Sequence, residues 1–156
     1  MTDIINDAET IAERMSMSPQ EEGGMVLENH YPSKTSGRAQ SGQSYYYVAP
    51  NVATAFHRLD CDEYWTYHAG SELEVWIIDE EGNLTRELLG ISEAAKPCIY
   101  FQKGCVFASK HLASAETGTL MSCITVPRFS QEGLCILSKT EVIDLCQDAG
   151  DFFSCP

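Results

Sequence analysis

Sixteen residues, "AFHRLDCDEYWTYHAG" at 55–70, hold the densest set of reactive side chains in the chain. They include His57, Glu63, Tyr67 and His68, with Cys61 between them. An imidazole titrates near neutral pH, and beside a carboxylate it makes a general base. The same side chains also bind divalent metals, which take three protein ligands and keep an open position. The stretch therefore offers two chemistries. One is proton abstraction by a His57–Glu63 pair without a cofactor. The other is an iron, manganese, nickel or zinc ion held by His57, Glu63 and His68.

Position decides which of these groups can meet. "DEYWTYH" reads as a β-strand. Regular alternation puts Glu63, Trp65 and Tyr67 on one face, and Tyr64, Thr66 and His68 on the other. His57 lies in the preceding run. If the two runs neighbour each other across "RLDC", His57 and Glu63 point into one interior. An inward glutamate is costly unless paired or metal-bound, which marks Glu63 as functional. In "SYYYVA" Tyr45 and Tyr47 share a face opposite Tyr46. Tyr45, Tyr47 and Tyr67 are candidates to share or return a proton. Glu22 precedes Gly23-Gly24, whose backbone freedom allows close approach, and is placed at the pocket. Trp65 and Phe107 are expected as apolar pocket walls or core. Lys34, Arg38 and His111 fall in expected loops and read as solvated surface, with His111 a remote candidate to reach a metal.

The elements around this stretch are short and β-rich from residue 44 onward: "SYYYVA", "TAFHRL", "ELEVWII", "LTRELLG", "PCIYF", "CVFASK", "TLMSCITV" and "LCILS". Turn signals separate most of them, a pattern of an all-β sandwich or barrel. Residues 3–15 carry apolar positions at helical spacing, and the helix should stop before Ser18-Pro19. Met25–Tyr31 reads as a strand, and 34–44 as a polar loop. "SKTEVIDLCQDAG" reads as a short helix on the sheet edge, capped by Ser138 or Thr140. The organisation is then an N-terminal helical extension (1–18), a barrel (19–138), and a C-terminal helix and tail (139–156).

Composition narrows the partners. The chain has 156 residues and a net charge of -13, so it lacks the basic surface that phosphate backbones and anionic membranes attract. A cytoplasmic protein binding a small molecule is the expected class, with no nucleic acid or membrane partner. Seven cysteines without a C-x-x-C pair read as free, mostly buried thiols rather than disulfides or a zinc site.

The run from His57 to Gly70 resembles the first motif of the cupin superfamily, which reads H-x-H-x(3,4)-E-x(6)-G. His57, Glu63 and Gly70 match it, and Leu59 stands where the second histidine is usual. In "FQKGCVF" Gly104 matches the second motif, while Gln102 replaces its proline and Phe107 its histidine. "EEGG", "YYYV", "FHRLDCDEYWTYHAG" and a late "VPRF" are similar to a small single-domain cupin group, with Arg128 where a glycine is usual. This resemblance implies a jelly-roll fold, a homodimer, and likeness to sugar-nucleotide epimerases and storage or hormone-binding cupins. Three functions follow: a metal-independent isomerase, epimerase or lyase; a metal-dependent dioxygenase or lyase; or a non-catalytic ligand-binding module.

Overall fold

The computed structural model describes residues 8–30 and 37–154. Residues 3–7 of the expected helix, Tyr31, Lys34 and Cys155 lie outside them. Helix α1 spans Ala8–Arg14 and ends ahead of Ser18-Pro19. Eleven strands follow in chain order: β1 Ser18–Pro19, β2 Met25–His30, β3 Gly42–Val48, β4 His57–Arg58, β5 Asp62–Gly70, β6 Leu73–Ile78, β7 Leu84–Leu89, β8 Cys98–Phe101, β9 Val106–His111, β10 Thr119–Val126 and β11 Cys135–Ile136. Helix α2 spans Lys139–Leu145, and a 3-10 segment, Gln147–Phe153, completes the fold. The end of the expected 34–44 loop, from Gly42, is already strand β3.

The strands form two sheets. One has six strands in the order β1-β2-β3-β10-β5-β8; the other has five, β11-β4-β9-β6-β7. The strand pairings are antiparallel. The result is an all-β jelly roll with short helices at both ends of the chain. Its interior is aromatic: Trp65 and Phe101 come from the first sheet and Phe107 from the second, with Leu73, Val75 and Met121 around them. Phe101 and Phe107 stack across the sandwich with ring centroids 4.1 Å apart.

Each outer face carries its own small core. Helix α1 covers part of the six-stranded sheet, where Ala8, Ala12 and Met17 pack against Tyr47, Ala69 and Leu120. Helix α2 and the 3-10 segment cover the five-stranded sheet. They do not lie on the sheet edge, because Val142, Ala149 and Phe152 pack onto the outward side chains Trp76, Ile78 and Ala108. Ser138, not Thr140, caps α2 in a reciprocal box with Glu141, a feature worth about 1 kcal/mol. The six described cysteines are free thiols; Cys61, Cys105, Cys123 and Cys146 are buried, while Cys98 and Cys135 are exposed. Among the described residues no helix is long and apolar enough to cross a membrane.

Candidate active site

His57 and Glu63 do not sit on neighbouring strands. β4 lies in the five-stranded sheet and β5 in the six-stranded one, so the short "RLDC" link crosses between sheets. The two side chains approach one cavity from opposite layers. That cavity opens between the sheets and has a volume of about 180 Å³. Its reactive lining is Glu22, Glu63, His57 and Cys123, and Tyr46, Leu59 and Trp65 supply much of the rest.

His57 is fixed through its backbone surroundings. The Ala55 N–H donates to the Glu22 carbonyl at 2.7 Å, and the Ala55 carbonyl takes the His57 Nδ1–H at 2.9 Å. One residue, Ala55, therefore ties the Glu22 turn to the imidazole through its N–H and its carbonyl. With Nδ1 protonated, Nε2 keeps the lone pair and is free of protein partners among the described residues. His57 is only 3% exposed. Burial lowers its pKa from 6.5 to about 4, against the opposing pull of the Ala55 bond, so the ring is neutral at pH 7.

Glu63 is shifted the other way. It is 8% exposed, and burial raises its pKa from 4.5 to about 8. The Trp65 indole and the Cys123 thiol partly offset this by favouring the carboxylate, and the charge of Glu22 adds to the rise. The Trp65 N–H is buried and reaches no acceptor with good hydrogen-bond geometry, so its help is weak. Glu63 is thus a carboxylic acid at neutral pH. Cavities that push two titratable groups apart in this way supply an acid and a base together. The Cys123 thiol is held far above its ordinary range by burial and then by Glu63, which keeps it from acting as a thiolate nucleophile.

Among the described tyrosines Tyr46, not Tyr45 or Tyr47, is the one in the cavity wall. Its hydroxyl donates to the Gly23 carbonyl, and burial raises its pKa well above 10.0. Gly24 has φ +78, and a Cβ there would collide with the Tyr46 ring. The Gly23-Gly24 pair is therefore what lets that ring sit down. Tyr47 packs under α1 on the outer face. Tyr45 is on that face too, with its ring 5.8 Å from His68. The expected tyrosine face was the wrong one because β3 sends its even-numbered side chains inward.

His68 does not join His57 and Glu63. β5 carries a bulge at this point: Tyr67 pairs with Met121 and Ala69 with Leu120, leaving His68 as the extra residue. Its side chain is exposed on the outside of the sheet. Tyr67 faces inward but its hydroxyl donates to the Gly70 carbonyl at 2.6 Å, and it is absent from the cavity wall. Phe107 is core at 1% exposure, its ring packed at a tilt against His57 rather than lining the cavity. His111 lies further along β9 and bonds Thr119 Oγ1 at 2.8 Å. No group of three His, Cys, Asp or Glu among the described residues can hold a metal ion. With Leu59 and Phe107 in two ligand positions and His68 turned away, the donor set does not fit a resident metal, and the His57–Glu63–His68 centre is not assembled.

Two arginines are tied to each other and to carboxylates, one of which, Glu28, lines the cavity. Arg128 grips Glu28 with two bonds, of 2.6 and 2.9 Å. Arg38 is half-exposed yet not simply solvated: it holds Asp60 with two bonds of 2.8 Å and donates to the Arg128 carbonyl. Sequence reasoning missed this arginine pair, and it missed Ser44, Cys123, Thr125 and Gln131 of the wall. Only the strand register shows that Ser44, Cys123 and Thr125 face inward, and Gln131 reaches the wall from the 3-10 turn Gln131–Gly133 after β10.

Residues 9–137 match the family model described as Cupin superfamily (DUF985). The chain belongs to this cupin family. Solved structures agree on the cupin fold. A Shewanella oneidensis protein is 23% identical with a TM-score of 0.86, covering 96% of both chains. A hypothetical protein from Leishmania major is 23% identical at TM-score 0.82, over 92% of this cupin and 94% of that chain. Oxalate decarboxylase from Bacillus subtilis is 17% identical at TM-score 0.61, over 81% of this cupin and 33% of that chain. No curated protein sequence matches the chain. Within the cupin frame, Gly70 has a physical role: it has φ +97, and a Cβ there would strike the Gly118 carbonyl.

Proposed function

We propose that this cupin is a metal-independent acid–base enzyme of isomerase, epimerase or lyase type, acting on a small carbonyl substrate. The observation that carries the reading is the Ala55–His57 bond. It locks the imidazole in the tautomer whose Nε2 is a base, across a small cavity from the acid Glu63.

The steps use only these groups. His57 Nε2 takes the proton from the carbon next to the substrate carbonyl. Glu63 gives its proton to the carbonyl oxygen, so an enol forms and the negative charge rests on the Glu63 carboxylate, facing the His57 imidazolium, and not on the substrate oxygen. Return of the His57 proton to the same carbon, on the face presented after the enol turns over in the cavity, gives the epimer, and Glu63 recovers its proton from the enol oxygen as the carbonyl reforms. Return to the former carbonyl carbon of an α-hydroxy substrate gives the isomer, with the proton that Glu63 gave staying on the first oxygen and the Glu63 carboxylate taking the α-hydroxyl proton as the second carbonyl forms. General acid–base help of this kind contributes about 10²–10⁴-fold each. Tyr46 remains a phenol and positions the Gly23 turn beside the substrate.

Solvent deuterium exchange, followed by NMR on α-hydroxy carbonyl compounds, tests this. Exchange at the carbon next to the carbonyl, lost in His57→Ala, is the expected result. A non-catalytic binding module is the second reading, favoured by the apolar share of the wall: Val26, Leu59, Trp65 and Phe129. Tight binding with no exchange would establish that reading in place of the first.

A further inference from the structure

The cavity is furnished for a particular kind of substrate. Glu22, Glu28 and Glu63 all line it, and among the described residues no lysine or arginine does. The Arg128 guanidinium is engaged by Glu28, itself a residue of the wall. A phosphate or carboxylate brought inside would lose its water and meet carboxyl oxygens with no cation facing it, in a chain of net charge -13. Glu22 adds a sharper demand. Its Oε2 is buried and has no hydrogen-bond donor among the described residues. A buried acceptor of this kind calls for a partner, and the cavity is where a ligand's O–H would supply one. Amide and hydroxyl groups of Gln20, Ser44 and Gln131 complete a wall suited to hydroxyls, while the Trp65 ring offers an apolar face.

We infer that the substrate is an uncharged, hydroxyl-rich carbonyl compound, a free sugar or a close relative, carrying neither phosphate nor carboxylate. This rests on the acid–base reading of the same cavity. It also sets the substrate apart from nucleotide-linked or acid substrates. A cationic amine is disfavoured for a separate reason. A positive charge beside Glu63 would draw off its proton and remove the acid that the reaction needs.

The test is a matched ligand set titrated onto the full chain by NMR and calorimetry: glucose and fructose, glucose 6-phosphate, glucuronate and glucosamine. At least one neutral sugar is expected to bind about tenfold tighter than its phosphate, uronate or amine counterpart. Glu22→Gln, checked for a wild-type melting temperature, is expected to weaken the neutral sugar about tenfold and to narrow its advantage over glucuronate. The inference is overturned if a charged member binds as tightly as the neutral ones, or if no neutral sugar binds. The two ideas fail separately. A neutral sugar that binds without deuterium exchange removes the acid–base reading alone, whereas exchange on a preferred anion removes the substrate class alone.

Discussion

His57 and Phe107 are cross-strand partners in β4 and β9, and their rings lie 4.3 Å apart. The phenyl ring stands where the family motif usually places a histidine, so the imidazole rests on a hydrocarbon surface. This contact helps hold His57 neutral. It also leaves His57 and Glu63 as an incomplete ligand pair, with Leu59 in the cavity wall at a third ligand position.

Leu59→His should therefore create what the native chain lacks. Three ligands at His57, residue 59 and Glu63 are enough for zinc or nickel with an open position. We expect the variant to bind one equivalent of Zn²⁺ by calorimetry, about 100-fold tighter than wild type, a gain abolished by Glu63→Ala. Stoichiometric tight binding by the wild type, lost in His57→Ala, would count against the metal-free reading.

Activity should follow a bell in pH. The base works when His57 is unprotonated, above about pH 4. The acid works when Glu63 is protonated, below about pH 8. We expect kcat/KM on an exchanging substrate to fall outside those limits, and His57→Ala or Glu63→Gln to lower it by about 10²–10⁴-fold. Glu63→Gln should also remove the alkaline limb, which a merely structural glutamate would not do.

Stability should respond to the same two groups with opposite signs. Glu63 holds its proton more tightly in the folded state, with a pKa of about 8 against 4.5. Its contribution is present below pH 4.5 and lost as pH rises through 8. His57 is depressed from 6.5 to about 4, so its contribution is present above pH 6.5 and lost as pH falls through 4. The two slopes oppose each other between 4.5 and 6.5, and above 6.5 only the Glu63 slope of the pair remains. Melting temperature should decline from pH 6.5 to 8, and Glu63→Gln should flatten that decline.

Much of this architecture was legible in the residues. Period-two runs with turn signals give the two-sheet fold, and the His57–Gly70 spacing points to the cavity. What the sequence hid was parity and pairing. A single bulge at His68 turns Ala69 outward beneath α1, which no local propensity announces, while Glu63, Trp65 and Tyr67 keep the inward face that alternation gives. Tyr46 against Tyr47 is a choice of register with β2 and β10. The partner of the imidazole is a backbone carbonyl, which carries no sequence signature at all. The covering of the five-stranded sheet by the C-terminus was likewise hidden, because it depends on Phe152 reaching Phe56 at 4.7 Å and Trp76 at 5.5 Å.

That C-terminal cover has a measurable weight. Phe152 is 6% exposed and joins α2 to the outer face of the sheet. Truncating a buried phenylalanine costs about 3–5 kcal/mol, so Phe152→Ala should lower the melting temperature by several degrees. The cavity residues are on the other side of that sheet, so the His57 and Glu63 titrations should hold in the fraction that stays folded. A variant with unchanged stability would show that the segment does not hold down this face.

The most direct test of the account is an NMR titration of labelled wild-type chain, following the Glu63 side-chain carboxyl carbon and the His57 ring nitrogens from acid to alkaline pH. The account predicts a Glu63 midpoint near 8 and a His57 midpoint near 4, with Nδ1 protonated throughout the interval between them. Midpoints near the ordinary 4.5 and 6.5 would contradict it. They would mean that Glu63 is a carboxylate at neutral pH and that the cavity holds no acid to partner its base.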